Sequence, residues 1–350
     1  LFLLFGKVWL ADLSHLSWFA LMLIWLFGAI LVSAFAVVRH AEALAERLGE
    51  PFGTLVLTLS MSGMEMMMIT AVMLTGKGGA ALARDTMLAI VMIVLNGLVG
   101  ACLLLGGLRY REQTYNLYGA NSFLAVIVPL SVLGLVLPAF TISSPGPTFS
   151  PLQATFLIFM SVGLYGVFLA IQTTRHRDYF VAPGAGAHSS EHGSADEQGF
   201  SPVIFHGLFL LAYVVPIVVL AKQIAVPVDY GISVLRAPAA LGGLLVAVLI
   251  LSPESLAAVR AAVANRLQRS INLALGTALT SISLTIPAVL IIGLATGRRI
   301  VLGLDGADIV LLLLTLIVSL LTFALERTNL LLGAVHLLLF FAYVMLIFEK

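Results

Sequence analysis

Apolar runs near spanning length dominate the chain, broken by short polar stretches. They fall at about 17–37, 51–75, 85–107, 120–140 and 152–173, and after a polar break at about 201–221, 237–260, 270–296, 306–324 and 331–348. A helix needs roughly 20 apolar residues to cross a bilayer. The pattern therefore predicts an all-α polytopic membrane protein with ten spans in two groups of five. Helices that are apolar all round carry little periodicity, so the polar interruptions hold most of the information.

Five is an odd number, and that sets the expected architecture. A second group of five enters the membrane from the side opposite to the first, so the halves become inverted repeats. This plan is common among secondary transporters, whose sites lie at the midplane. The division expected is a remnant of an N-terminal helix at 1–12, a first repeat at 13–173, a linker at 174–200 and a second repeat at 201–350. The apolar run 1–10 is too short to span and reads as the tail of a cut helix or signal.

The second span of each half carries one acid in an apolar context, with a glycine twelve residues before it: Gly53 and Glu65, Gly242 and Glu254. A glutamate at membrane depth is costly and is by default a functional group. Thr58, Ser62 and Glu65 share one helix face, and Ser60 lies close by in sequence. Hydroxyls and a carboxylate in a row are hard oxygen ligands, the kind Ca²⁺ gathers in sets of about six to eight. In the other half Pro253 lacks an N–H and frees the carbonyl of Leu249, so 249–254 offers a carbonyl, the Ser252 hydroxyl and the Glu254 carboxylate. The third spans carry polar residues too: Asn96 in one half, and Thr277, Thr280, Ser281, Ser283 and Thr285 in the other. Pro287 frees the carbonyl of Ser283. Pro253 and Pro287 are thus expected helix breaks; with an acid beside it Pro253 reads as more than an ordinary kink, whereas Pro287 could equally be one.

Composition agrees with the pattern. Of 350 residues, 61% are hydrophobic and 10% charged, and mean hydropathy is +1.10; soluble chains carry about 25% charged residues. A net charge of +1 gives no footing for nucleic acid, and the single Cys102 can form no internal disulfide. One set of loops holds ten arginines (39, 47, 109, 111, 175, 177, 260, 266, 269 and 327). The other holds eight basic residues (Lys7, Lys77, Arg84, Lys222, Arg236, Arg298, Arg299 and Lys350). The positive-inside rule then puts the first set, and the 174–200 linker, on the cytoplasmic side. A bacterial inner membrane is the expected location.

Other features have competing readings. The linker holds His176, His188, Glu191, His192, Asp196 and Glu197; it is a solvated connector or, through His188 and His192 one helical turn apart, a regulatory cation site. Met61, Met64, Met66, Met67, Met68 and Met73 crowd the first acid helix. Thioethers select soft ions, but methionine also fills irregular cores, and Met66 to Met68 must point around the helix. The stretches 39–47 and 260–269 are amphipathic and suit a membrane surface. His206 and His336 read as packing histidines, and Glu326 with Arg327 as an interfacial pair.

The chemistry expected is exchange. Two glutamates neutralise one dication or two protons, and leaving both ionised and empty at membrane depth is costly. Cation and protons therefore compete for the same carboxylates, which is antiport in outline. Ca²⁺ for H⁺ is the first reading; Na⁺ or K⁺ for H⁺ through the same acids is the alternative. A proton-gated cation channel is the reading from another class, and few polar residues per helix argue against its pore. No Ser/His, paired-Asp or zinc-ligand spacing lies within the spans to suggest an enzyme. No cofactor is called for, and the partners expected are lipid and the transported cations.

Several motifs together carry a family resemblance. Arg39-His40-Ala41-Glu42, Leu48-Gly49-Glu50-Pro51-Phe52-Gly53-Thr54-Leu55, Leu104-Leu105-Gly106-Gly107, Leu251-Ser252-Pro253-Glu254, Leu284-Thr285-Ile286-Pro287 and Arg327-Thr328-Asn329 resemble the bacterial ChaA-type calcium/proton antiporters. These form part of the cation/proton exchanger branch of the calcium–cation antiporter superfamily. The resemblance runs from about Val37 to Phe348. It implies eleven spans, one plus two inverted repeats of five, and exchange of Ca²⁺, in some members Na⁺ or K⁺, for H⁺. Glu65 and Glu254 match the family's two acids. The residues before them read Met61-Ser62-Gly63-Met64 and Leu251-Ser252-Pro253, where the wider family has Gly-Asn-Ala-x.

Overall fold

A computed structural model of the chain describes residues 2–48, 52–74, 81–182 and 200–349. Among them are eleven helices: α1 (Phe2–Trp9), α2 (Leu16–Leu48), α3 (Phe52–Leu74), α4 (Leu82–Tyr110), α5 (Leu117–Ala139), α6 (Pro151–Arg175), α7 (Phe200–Leu235), α8 (Ala240–Val263), α9 (Leu267–Thr296), α10 (Gly306–Thr322) and α11 (Leu330–Glu349). Each predicted span holds one helix, from α2 to α11. Eight of these are long and apolar enough to cross a membrane. The 29 residues of α4 rise about 43 Å, against roughly 30 Å of hydrocarbon. A helix satisfies its own backbone, which is why apolar sequence of this length takes that form in lipid.

Some helix ends differ from expectation. The amphipathic stretch 39–47, which reads from sequence as suited to a membrane surface or as a plain helix end, continues α2 to Leu48. The stretch 260–269 is split, because α8 ends at Val263 and α9 begins at Leu267. Asn265 turns the chain there at φ 58°, a left-handed conformation that asparagine tolerates better than most residues. Pro253 does not break α8, which stays helical on both sides of it; the proline removes one N–H while neighbouring bonds carry the helix past. Departures from α geometry fall instead at π-helical stretches, Met92–Leu98 in α4, Val132–Val136 in α5, Ile171–Arg175 ending α6 and Ser281–Thr285 in α9. The linker histidines His188 and His192, with Glu191, Asp196 and Glu197, lie outside the described residues, as does Glu50.

Two compact units divide the chain. The first takes α1–α3, α7 and α8 up to Pro253; the second takes α4 from Met87, α5, α6, the rest of α8 and α9–α11. In the first, α2 and α7 pack along their length. Met22, Leu26, Ile30, Ala34, Val37 and Ala41 form one buried stripe of α2, and Val214, Ile217, Ala221, Ile224 and Val228 one of α7. Both step by three and four residues, the spacing of a single helix face.

In the second unit the loop contacts reveal how the helices run. At one end β1 (Gln113–Thr114) pairs antiparallel with β2 (Arg327–Thr328). At the same end the Tyr110 hydroxyl donates to the Val263 carbonyl at 2.9 Å, and Asn272 Nδ2 donates to the Phe180 carbonyl at 2.7 Å. At the other end Gly303 N–H donates to Pro147 O at 3.0 Å and Leu304 N–H to Leu135 O at 2.9 Å. The C-terminus of α4 therefore shares an end with the N-terminus of α9. The third helices of the two halves run in opposite directions, and each carries a π-helical stretch. Arg327 pairs with Glu112 at 3.2 Å rather than with Glu326; the β1–β2 ladder sets Thr114 opposite Arg327 and brings Glu112, two residues along the same strand edge, within reach of its side chain.

Helix packing in this unit relies on close approach. A Cβ on Gly333 of α11 would lie 2.5 Å from Leu104 N and 2.9 Å from Gly100 O of α4. Lipid offers no hydrophobic drive for helices to associate, so small residues that let backbones touch take its place.

Candidate functional site

In α3 the buried positions are Ser62, Met64, Glu65, Met68, Ile69 and Ala71. Glu65 is 4% exposed, and Leu59 and Met67 face outward at 55% and 41%. The helix thus turns its acid and Ser62 inward together. Thr58, one turn before Ser62 on that face, is half-buried. Ser60 is also half-buried but lies about 140° around the helix from Glu65. Met64 and Met68 are buried while Met67 faces outward, so consecutive methionines point around the helix.

Glu254 of α8 is also buried, at 7% exposure. Its carboxylate Oε2 lies 3.3 Å from Thr277 Oγ1 of α9, and the same hydroxyl lies 2.9 Å from the Leu273 carbonyl. A hydroxyl has one proton and two lone pairs. Thr277 can give its proton to an ionised Glu254. It can also give that proton to Leu273 and accept one from a neutral Glu254. The contact accommodates both protonation states without moving a helix. Leu249 and Pro253 are buried beside it on α8, while the half-buried Ser252 gives its hydroxyl to the Val248 carbonyl of its own helix.

The π-helical stretch of α9 gathers Ser281, Ser283 and Thr285, all within 1% of full burial, and Pro287 follows it. Ser283 Oγ has no hydrogen-bond partner among the described residues. A buried hydroxyl left without a partner costs about 1–3 kcal/mol. π-helical stretches recur at functional sites, and this one displays an oxygen with capacity to spare.

Asn96 sits in the matching stretch of α4 but spends its amide differently. Its Nδ2 donates to Thr315 Oγ1 of α10 at 2.8 Å, and its Oδ1 accepts from His336 Nδ1 of α11 at 3.1 Å. His336 Nε2 then accepts from the Thr322 hydroxyl at 3.0 Å. Asn96, Thr315 and His336 are fully buried. With the amide donating to Thr315, the histidine tautomer is fixed: proton on Nδ1, lone pair on Nε2. The sequence offered Asn96 as a ligand candidate and His336 as a packing histidine. The structure joins them in one network, with Thr315 and Thr322 as members that hydroxyls scattered over apolar helices did not single out. Glu254 thus pairs with Thr277 and Asn96 with His336, while Ser62 shares one face of α3 with Glu65 and Ser281 shares one helical turn with Ser283. Among the described residues no three His, Cys, Asp or Glu side chains cluster as a resident metal site.

The profile of the family described as "Sodium/calcium exchanger protein" matches residues 18–174 and 206–349. The sodium-potassium/proton antiporter ChaA of Escherichia coli strain K12 is 40% identical over 319 residues, covering 91% of this chain and 86% of its own length. Two solved structures share the fold at 15% identity. Native YfkE superposes with a TM-score of 0.73, covering 95% of this chain and 92% of its own, and the H⁺/Ca²⁺ exchanger CAX with 0.68, covering 98% and 87%.

Proposed function

The chain belongs to the sodium/calcium exchanger family, and from that premise we propose that it exchanges Ca²⁺ for H⁺ across a membrane by alternating access, with Glu65 and Glu254 binding cation and protons in turn. Family members are transporters, and the fold is that of the calcium–cation antiporter superfamily, an all-α polytopic membrane protein of two inverted five-helix repeats. As part of this proposal we assign the first repeat to 13–173, the linker to 174–200 and the second repeat to 201–350, with 1–12 as the remnant of an N-terminal helix. The observation that carries the reading is the buried Glu254 carboxylate, 3.3 Å from a hydroxyl that can donate to it or accept from it. Such a group can lose a proton to a cation and take it back while staying within hydrogen-bond reach of Thr277.

Charge supports the dication. Two carboxylates balance one Ca²⁺ or two protons, so either loaded state is near neutral. Thr58, Ser62, Ser281, Ser283 and the Leu249 carbonyl are the further oxygens proposed to complete its shell, with Thr277 on Glu254. The likeness to the H⁺/Ca²⁺ exchanger CAX supports the same choice. A second reading, exchange of Na⁺ or K⁺ for H⁺ by the same acids, is supported by the 40% identity to a sodium-potassium/proton antiporter. At the β1–β2 end of the second unit lie arginines 109, 111, 175, 177, 260, 266, 269 and 327, against 298 and 299 at the other end. That asymmetry supports a cytoplasmic β1–β2 end in a bacterial inner membrane.

Counterflow in proteoliposomes tests this. Vesicles are loaded at acidic pH, Ca²⁺, Na⁺ or K⁺ is added outside, and internal pH is followed. Ca²⁺ should drive proton efflux in the wild type and in neither Glu65→Gln nor Glu254→Gln. Efflux driven by Na⁺ or K⁺ alone replaces the first reading with the second. Normal exchange by both variants removes the two acids from the mechanism.

A further inference from the structure

His40, near the C-terminal end of α2, and His206, near the N-terminal end of α7, face each other in the first unit. Their Nδ1 atoms are 3.0 Å apart. The His40 ring stacks on Phe209 and Tyr213 with centroids at 5.4 and 5.7 Å, and Phe205 closes edge-on against both imidazoles. Phe205, Phe209 and Tyr213 stand four residues apart on α7, so one helix face builds the aromatic wall. Among the described residues, no other hydrogen-bond partner is recorded for either ring. His40 is buried, His206 is half-buried, and the exposed Arg39 lies on the side of α2 where its apolar run ends.

We propose that His40 and His206 form a binding site for a borderline divalent cation of the Zn²⁺ class, separate from the two carboxylates. Neutral imidazole is the commonest side-chain ligand for such ions. Two tetrahedral ligands at about 2.05 Å from zinc stand about 3.3 Å apart. The two nitrogens already lie within about 0.3 Å of that separation, so a bound ion needs only a small parting of the rings. The rings are supplied ready-placed: the aromatic wall fixes their planes. In the metal-free pair one Nδ1 carries the proton directed at the other. When the ion binds, that proton moves to Nε2 and both Nδ1 lone pairs bind the metal, with no net proton lost from a neutral pair. Water fills the remaining positions through the half-open His206 side. Hard Ca²⁺ prefers oxygen and has little affinity here. Glu42 and Glu46 on α2 offset Arg39 and Arg47, so the helix end does not repel a dication. Occupancy ties the first helix of one half to the first helix of the other.

Zn²⁺ binding to the metal-depleted full chain in detergent tests the site without reference to transport. ZnCl₂ should bind saturably to the wild type, and His40→Gln and His206→Gln should each weaken that binding tenfold or more. Glu65→Gln/Glu254→Gln and His188→Gln/His192→Gln should leave the affinity unchanged. Zn K-edge absorption on the wild type should report two imidazole nitrogens, a readout that stands even where a variant does not fold. No saturable binding, wild-type affinity in either single histidine variant, loss of binding in either double variant, or fewer than two imidazole ligands overturns the proposal.

Discussion

Thr277 Oγ1 stands 3.3 Å from Glu254 Oε2 and 2.9 Å from the carbonyl of Leu273, with one proton to give. A donor to a carboxylate favours its ionised form, and the ionised form is the one that binds a cation. Thr277→Val removes the donor and keeps the shape. The cation concentration for half-maximal exchange should then rise about fivefold, the effect of roughly 1 kcal/mol for a long hydrogen bond to a charge. Thr277→Ser should restore that value. A half-maximal concentration identical to wild type in the valine variant would show that the contact has no part in exchange.

The helical layout was legible because lipid enforces it. A chain at membrane depth has to satisfy its own backbone, so length and hydropathy nearly determine where helices lie, and α2 to α11 fall on the ten predicted runs. Helix ends were less legible. Arg39 and Arg47 marked the end of apolar sequence, not of helix, and nothing in composition says that α2 continues through them to Leu48. Pro253 invited a break that α8 does not make, whereas π-helical stretches at Met92–Leu98 and Ser281–Thr285 have no sequence signature beyond polar residues among apolar ones. Site partners were legible one helix at a time. The face shared by Ser62 and Glu65 follows from spacing. The pairing of Asn96 with His336, 240 residues apart, or of His40 with His206, depends on which helices meet, and periodicity does not carry that.

The Asn96–His336 network sets a stability prediction. His336→Ala strands the Asn96 oxygen and the Thr322 hydroxyl in a fully buried site. Each orphan costs about 1–3 kcal/mol, so thermal unfolding in detergent should fall by several degrees. Asn96→Leu/His336→Leu removes both partners at once and should cost less than the two single changes added together. Strict additivity would mean that the two side chains do not act as a unit.

Two glycines give opposite expectations. At Gly333 an added methyl meets the α4 backbone at 2.5 Å, whereas at Gly28 on α2 it meets nothing within 4 Å. Gly333→Ala should separate α4 from α11 and lower thermal stability by about 1–3 kcal/mol, the usual range for overpacking. Gly28→Ala should be neutral or stabilising by up to about 1 kcal/mol from helix propensity. Equal melting temperatures for the two variants would contradict backbone contact at Gly333.

Tyr115 links the loop after α4 to the turn after α10. It is 2% exposed, and its hydroxyl donates to the Leu325 carbonyl, with that of Thr322 at 3.3 Å. Burial holds its phenol well above the ordinary tyrosine value. The folded protein therefore keeps this proton more tightly than the unfolded chain, which releases it near pH 10. The stability this contributes is whole below about pH 10 and is lost progressively as pH rises beyond it. Tyr115→Phe should cost about 1 kcal/mol at neutral pH for the missing hydrogen bond. It should also flatten the alkaline decline, so the gap between variant and wild type narrows above about pH 10. Melting temperatures of both proteins between about pH 8 and pH 11 give that difference directly, with other alkaline titrations common to the two. Parallel curves would mean that Tyr115 ionises in the fold as it does in the unfolded chain, and that burial does not hold its proton.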